Sequence, residues 1–221
     1  MPGNSCKVYT SVFFDDFAHL RTEFEKGLAD YSEHYEIRYD LFKYKSIENL
    51  RLILTYLNSN NIDYIFTYRS ANTEELIKIY STAINFSPPI VDVDINSFKF
   101  KRDFFRDTRL MVSFHGSNDD KIRIKIAGMS PLEPDIYKIA LLYTDNGKFL
   151  DDLDYLYHYR LENSIKLAFI PMGENNSFLR VISARMVSDY AYGTYRDSTA
   201  PGQIETVEFN KLLSRFKGKY E

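Results

Sequence analysis

The sequence predicts an α/β chain folded as one compact, single-domain (β/α)8 TIM barrel. Short apolar, β-branched or aromatic runs recur eight times along the chain, and segments with apolar residues at helical spacing lie between them. Nothing divides the 221 residues: there is no low-complexity stretch and no Pro/Gly/Ser linker. Strands alternating with helices argue for parallel βαβ units, and eight such units in succession favour a closed barrel over an open doubly wound sheet. Barrels of this kind usually take about 250 residues, so short loops are expected, while a hydrophobic content of 44% supplies a sizeable core.

The elements are predicted in order. Strands are expected over residues 7–13, 35–40, 63–68, 90–94, 109–114, 136–142, 165–171 and 189–194. Each is a short run rich in apolar, β-branched or aromatic residues, set off by turn-forming or charged residues. Residues 46–60 and 73–84 carry apolar residues at i, i+3 and i+4 and are expected to be helices. Residues 121–126 alternate with period two, as a strand does, but Ile122, Ile126 and Met129 also share one helical face. Their place between two strong strands favours a short crossover helix. Residues 189–194, small, polar and aromatic by turns, give the weakest strand signal.

Composition excludes several classes of function. The net charge is −3 with both signs interspersed, which leaves no basic footprint for nucleic acid. Cys6 is the only cysteine, so neither an intrachain disulfide nor a thiolate cluster can form, and a reducing compartment fits. No uncharged apolar run approaches the roughly 18 residues of a membrane span, and the first residues lack a signal-peptide pattern. A soluble cytoplasmic protein is expected. There is no HExxH, no GxxxxGK[ST] and no GxGxxG, so neither a metal nor an organic cofactor is expected.

Chemistry enters with a lysine inside an apolar run, Asp135-Ile136-Tyr137-Lys138-Ile139-Ala140-Leu141-Leu142. Lysine is rarely buried, because its ammonium is costly to remove from water unless paired or neutralised. A desolvated lysine supplies the free amine that imine chemistry on a ketone requires. The plainer reading is a snorkelling lysine on a half-exposed strand. Its neighbours in the fold argue against that reading.

In a (β/α)8 barrel the active site lies at the carboxyl ends of the strands, and those ends are rich in polar groups. Strand two ends in Glu36-Ile37-Arg38-Tyr39-Asp40, strand three in Phe66-Thr67-Tyr68-Arg69, strand four in Asp92-Val93-Asp94 and strand five in Ser113-Phe114-His115. Strand six carries Lys138, strand seven is followed by Met172-Gly173 and then Arg180, and strand eight by Ser198-Thr199-Ala200-Pro201-Gly202-Gln203. Taken singly, each has a structural reading: Glu36 with an arginine as an ion pair, Asp92 and Asp94 as helix caps, Ala-Pro-Gly as a turn. His19, His34 and His158 read as surface or packing residues. Convergence at successive strand ends around one buried lysine favours a reactive site.

The strings EIRYD, FTYR, SFH, DIYKIA, MG with an arginine eight residues after the methionine, and APGQ resemble the type I 3-dehydroquinate dehydratases, the Schiff-base-forming barrel enzymes of the shikimate pathway. The resemblance runs from about Lys7 to Gln203. It implies syn elimination of water from 3-dehydroquinate, giving 3-dehydroshikimate, with no cofactor, a small-molecule substrate and a homodimer. It implies that Lys138, rather than Lys125 in its similar Lys-Ile-Ala string, forms the imine and that His115 is general base and acid. It further implies that Arg180 holds the substrate carboxylate and that Glu36, Arg38 and Arg69 hold ring hydroxyls. Thr199 and Gln203 would lie on a loop closing over the substrate, with Met172 and Tyr192 as wall residues. One position departs from the pattern. Thr73 stands where many members carry a glutamate that orients the catalytic histidine, leaving Glu74, Glu75 or Glu36 as candidates for that role. The competing readings are a class I aldolase-type lyase, which should favour phosphate-binding loops after strands seven and eight, and an inactive barrel serving as a binding module, which should have lost Lys138 or His115.

Overall fold

Eight strands and the helices that connect them follow the predicted order. A computed structural model describes residues 6–96, 101–105, 108–117 and 121–215. The strands are β1 (Lys7–Val12), β2 (His34–Arg38), β3 (Asp63–Thr67), β4 (Ile90–Asp94), β5 (Arg109–Ser117), β6 (Ile136–Leu142), β7 (Lys166–Met172) and β8 (Tyr190–Thr194). The helices are α1 (Phe17–Glu23), α2 (Ile47–Ser59), α3 (Thr73–Ile84), α4 (Ile122–Met129), α5 (Asn146–Asn163), α6 (Ser177–Met186) and α7 (Thr206–Arg215). Every strand pairing is parallel, in the order β7-β6-β5-β4-β3-β2-β1-β8, and a two-residue strand β9 (Ile204–Glu205) adds to β8. β7 meets the start of β8 through Asp189, whose N–H donates to the Leu167 carbonyl (2.7 Å) and whose carboxylate accepts the Leu167 N–H (3.0 Å). The curled sheet is thereby drawn together into a barrel.

Local signals explain the helices. Ser46 caps α2 by accepting the Asn49 N–H (3.0 Å), and Leu50, Ile53, Leu54 and Leu57 form its buried stripe. Asn72 caps α3 by accepting the N–H groups of Glu74 and Glu75, with Leu76, Ile79, Tyr80 and Ala83 turned inward. α4 buries Ile122, Ile126 and Met129, so the ambiguous stretch is helical, as its shared face suggested. Between β4 and β5 the described residues hold a short 3-10 turn, Arg102–Phe105, rather than an α-helix.

Strand residues alternate between two apolar environments. Ile37, Phe66, Val91, Val112, Ile139 and Leu167 point outward and pack on the helices. Tyr9, Ile65, Ile90, Met111, Ile136 and Ala168 fill the barrel interior. Burial on both faces explains why the strands read as nearly continuous apolar runs. Each large aliphatic side chain among them contributes roughly 1.5–3 kcal/mol when removed from water, and a polar side chain kept inside this interior needs a partner. Toward the carboxyl ends the interior becomes polar.

Two strand ends differ from the expectation and matter for the site. β2 stops at Arg38, because Tyr39–Leu41 turns into a 3-10 helix whose Tyr39 hydroxyl donates to the Ser46 carbonyl (2.6 Å). β5 runs on to Ser117, paired with β6 throughout, so His115 is held as a strand residue rather than in a loop.

Candidate active site

Strand register brings the polar residues into rows across the inner face. Arg38, Thr67 and Asp92 are partners on β2, β3 and β4, Asp94, Ser113 and Lys138 on β4, β5 and β6, and His115 lies beside Ala140 one row higher. Alternation along each strand then stacks Glu36 below Arg38, Asp92 below Asp94 and Ser113 below His115.

Lys138 is buried, only 4% exposed, and its Nζ reaches Asp92 Oδ2 at 2.7 Å and Glu36 Oε1 at 3.0 Å. The ammonium also lies 3.9 Å from the centre of the Tyr192 ring. The resting lysine is therefore an ion-paired ammonium, not the bare amine that burial alone would leave. Glu36 accepts further hydrogen bonds from Ser11 Oγ (2.6 Å) and Thr67 Oγ1 (3.1 Å). Arg69 lies 2.8 Å from Asp92 Oδ1 and donates to the Asp92 carbonyl (2.9 Å) and Ser113 Oγ (2.8 Å). Burial opposes ionisation of both acids, but the cations prevail: Lys138 and Arg38 hold Glu36 below the usual carboxyl range, and Arg69 and Lys138 hold Asp92 well below it. Burial likewise disfavours charge on Arg69, yet the Asp92 carboxylate keeps its guanidinium firmly protonated.

His115 stands at the open side of this cluster, its side chain 39% exposed, with Nδ1 3.0 Å from Asp94 Oδ2. None of the acids proposed from the sequence makes that contact. Glu74 is exposed. Glu75 accepts from the Tyr68 hydroxyl (2.6 Å) and Ser70 Oγ (2.6 Å), and Glu36 is committed to Lys138. Asp94 counted in the sequence among the polar strand ends, with a helix cap as its plainer reading, but was given no part in orienting His115. The signal available was its position two residues beyond Asp92 on the same strand, and therefore on the same face.

The rim is closed by α6 and the segment after β8. Arg180 is buried; its Nη2 donates to the Pro201 carbonyl (3.0 Å), and its Nε has no hydrogen-bond partner among the described residues. Burial lowers its pKa to about 10, so it remains a cation at neutral pH with donors to spare. Arg38 is anchored by a two-pronged contact to Asp40 (3.0 and 2.7 Å). Gln203 ties the loop to the barrel: Nε2 donates to the Gly193 carbonyl (3.0 Å) and Ser11 Oγ (3.3 Å), while Oε1 accepts from Thr199 N–H (2.9 Å) and Oγ1 (3.0 Å). Gly202, at φ +71°, sits so close to the end of β7 that a Cβ there would fall 2.0 Å from the Gly173 carbonyl oxygen. Only glycine lets the loop seat at this depth.

All ten residues singled out in the sequence line one cavity of about 400 Å³: Glu36, Arg38, Arg69, His115, Lys138, Met172, Arg180, Tyr192, Thr199 and Gln203. Ser11, Thr67 and Asp94 join them. Tyr192 forms the part of the lining beneath Lys138, buried, with its hydroxyl donating to Met111 Sδ (3.1 Å). Among the described residues, no three His, Cys, Asp or Glu side chains are grouped to hold a metal ion, and no helix is long and apolar enough to cross a membrane. The cavity suits a small, oxygen-rich anion with an electrophilic carbon. Arg180 supplies a carboxylate partner, acids and arginines supply hydroxyl partners, and an amine and an imidazole supply the reactive groups.

Comparison with known proteins agrees with this chemistry. Residues 8–219 match the family model described as Type I 3-dehydroquinase. A 3-dehydroquinate dehydratase of Thermoplasma volcanium is 38% identical over 210 residues, covering 95% of this chain and 89% of that protein. One from Thermoplasma acidophilum is 30% identical over 196 residues, covering 89% and 84%. Among solved structures, 3-dehydroquinate dehydratase from Geobacillus kaustophilus HTA426 superposes with a TM-score of 0.83 at 20% identity, covering 98% of this chain and 93% of that one, a likeness of fold. Matches of this breadth make the chain a member of the type I 3-dehydroquinase family.

Proposed function

We propose that the chain is a 3-dehydroquinate dehydratase that removes water from its substrate through an imine on Lys138. The observation that carries this reading is the buried lysine held between Glu36 and Asp92 on the floor of a cavity that also contains His115 and Arg180. Arg180 receives the substrate carboxylate and thereby sets the ring over Lys138. The ammonium proton must leave before Nζ attacks, and the two carboxylates at 2.7 and 3.0 Å are acceptors within reach. Nζ adds to the C3 ketone and water departs, leaving an iminium that acidifies the neighbouring C2–H. His115 takes the C2 proton, and the resulting enamine expels the C1 hydroxyl, which leaves as water with the proton that His115 returns. Hydrolysis of the product imine regenerates the amine. The iminium is a better electron sink than the ketone, so a hard elimination becomes a sequence of easier steps, and one imidazole serves both proton transfers on the same side of the ring.

Borohydride added with 3-dehydroquinate or its product is expected to leave a reduced covalent adduct on Lys138, located by peptide mass mapping. Lys125, on α4, should stay unmodified. An adduct on Lys125, or an active enzyme that traps no adduct, rejects the imine.

Arg180→Ala is expected to lower kcat/KM at least about 30-fold, the low end of the roughly 2–5 kcal/mol lost with one member of a buried charge pair. The change should fall mainly on KM. Tm should hold within a few degrees, because Arg180 has no carboxylate partner among the described residues and a single hydrogen bond to Pro201. An unchanged kcat/KM assigns the carboxylate to another residue.

We also place the protein in the cytoplasm as a homodimer. The lone Cys6 suits a reducing compartment. The half-exposed Phe178 and Met186 on α6 offer apolar surface for a second copy.

A further inference from the structure

We propose that Asp94 is the positioning residue for His115: it holds the imidazole with its proton on Nδ1 and leaves Nε2 as the atom that exchanges protons with the substrate. The inference rests on the dehydratase reading above and deepens it.

Geometry selects Asp94. Its Oδ2 lies 3.0 Å from His115 Nδ1, and its Oδ1 accepts the Asn96 N–H at 2.8 Å. One carboxylate oxygen is thus fixed by backbone and the other is aimed at the ring. The backbone around it is fixed as well, since the Ile95 N–H donates to the Ser113 carbonyl (2.9 Å) and continues the ladder toward His115. A carboxylate can only accept a hydrogen bond when ionised, so Nδ1 must be the donor and the neutral imidazole keeps its lone pair on Nε2. Burial disfavours the charge on Asp94, but His115, the Asn96 N–H and Arg69 hold its carboxyl below the usual range. It therefore stays an acceptor at neutral pH and stabilises the imidazolium formed when Nε2 takes a proton.

The same strand thereby anchors both reactive groups. Asp92 pairs with Lys138, and Asp94, two residues on, pairs with His115. Successive same-face residues on a strand lie about 6–7 Å apart, so β4 fixes the vertical offset between amine and imidazole. Glu36 is engaged by Lys138, Ser11 and Thr67, and Glu75 by Tyr68 and Ser70, and neither is hydrogen-bonded to the ring.

The test uses the whole protein labelled with ¹⁵N-histidine, where only four histidines must be resolved. In the wild type, the neutral form of His115 should show Nδ1 protonated and Nε2 bare. The opposite tautomer overturns the proposal, and this measurement requires no variant to fold. In Asp94→Asn the amide can donate to Nδ1 and stabilise the wrong tautomer. Its kcat should fall about 10²- to 10⁴-fold with KM within about threefold, while borohydride still labels Lys138. A variant within threefold of wild-type kcat, tested where the wild type does form the adduct, rejects Asp94 as the positioning residue and leaves the dehydratase reading intact. A wild type that forms no adduct rejects that reading instead.

Discussion

His115→Ala is expected to lose about 10⁴-fold or more in kcat while still forming the borohydride-trapped adduct on Lys138. General acid–base groups supply about 10²–10⁴-fold in a single step, and here one imidazole both removes the C2 proton and returns it to the leaving hydroxyl. Imine formation depends on Lys138 and its carboxylates, and His115 bonds to neither; its only hydrogen-bond partner among the described residues is Asp94. The fold should tolerate the change. The His115 side chain is 39% exposed, and Asp94 keeps the Asn96 N–H and the field of Arg69 once the ring is gone. Tm should therefore move by no more than a degree or two. Separating the two readouts is the point of the experiment: trapped adduct without turnover assigns His115 to proton transfer alone. Near-normal turnover makes some other group the base, and loss of the adduct as well would give His115 a part in imine formation.

The strands were legible because parallel strands buried on both faces leave unbroken apolar runs, with turn residues between them. Residues 90–94 and 136–142 match β4 and β6 without adjustment. The ends were less legible where a contact made outside the strand decides them. β2 yields to a 3-10 turn held by Tyr39 and Ser46, and β9 exists only because the loop after β8 folds back on the sheet. Reading the strand ends gathered the polar residues that line the cavity, Ser11 on β1 excepted, since in a parallel barrel those ends share one mouth. Their pairing was a different matter. That Lys138 on β6 meets Glu36 on β2 and Asp92 on β4, or that His115 meets Asp94 rather than an acid near Thr73, depends on the stagger between strands and the curvature of the barrel. One-dimensional spacing carries alternation within a strand but not that stagger. Tyr192 shows the same limit, since its strand position was clear while its place beneath the ammonium was not.

Lys138→Met is expected to abolish turnover and adduct formation together, and to weaken the fold in a way that depends on pH. Methionine nearly conserves volume and can keep the packing on Tyr192, so the cavity term is small. What it removes is the positive charge between two buried acids, Glu36 at 3% and Asp92 at 0% exposure. Removing one partner of a buried pair typically costs about 3–5 kcal/mol, because the remaining charge is left uncompensated. In the wild type both carboxyls are held below their unfolded value, which is near 4. Their contribution to stability is therefore fully present above about pH 4 and is lost as pH falls through the lower folded-state values. In the variant the balance is expected to reverse: with Lys138 gone, burial should raise the folded-state value of at least one acid above its unfolded value, so that the folded form binds the extra proton. Stability contributed by that proton is present at low pH and lost as pH rises through the raised value. The Tm deficit of Lys138→Met should accordingly be largest near pH 8 and narrow steadily toward pH 5, in thermal melts of the two proteins run side by side. A deficit that stays constant across that range would show that Lys138 stabilises the barrel by packing, and that Glu36 and Asp92 do not depend on its charge.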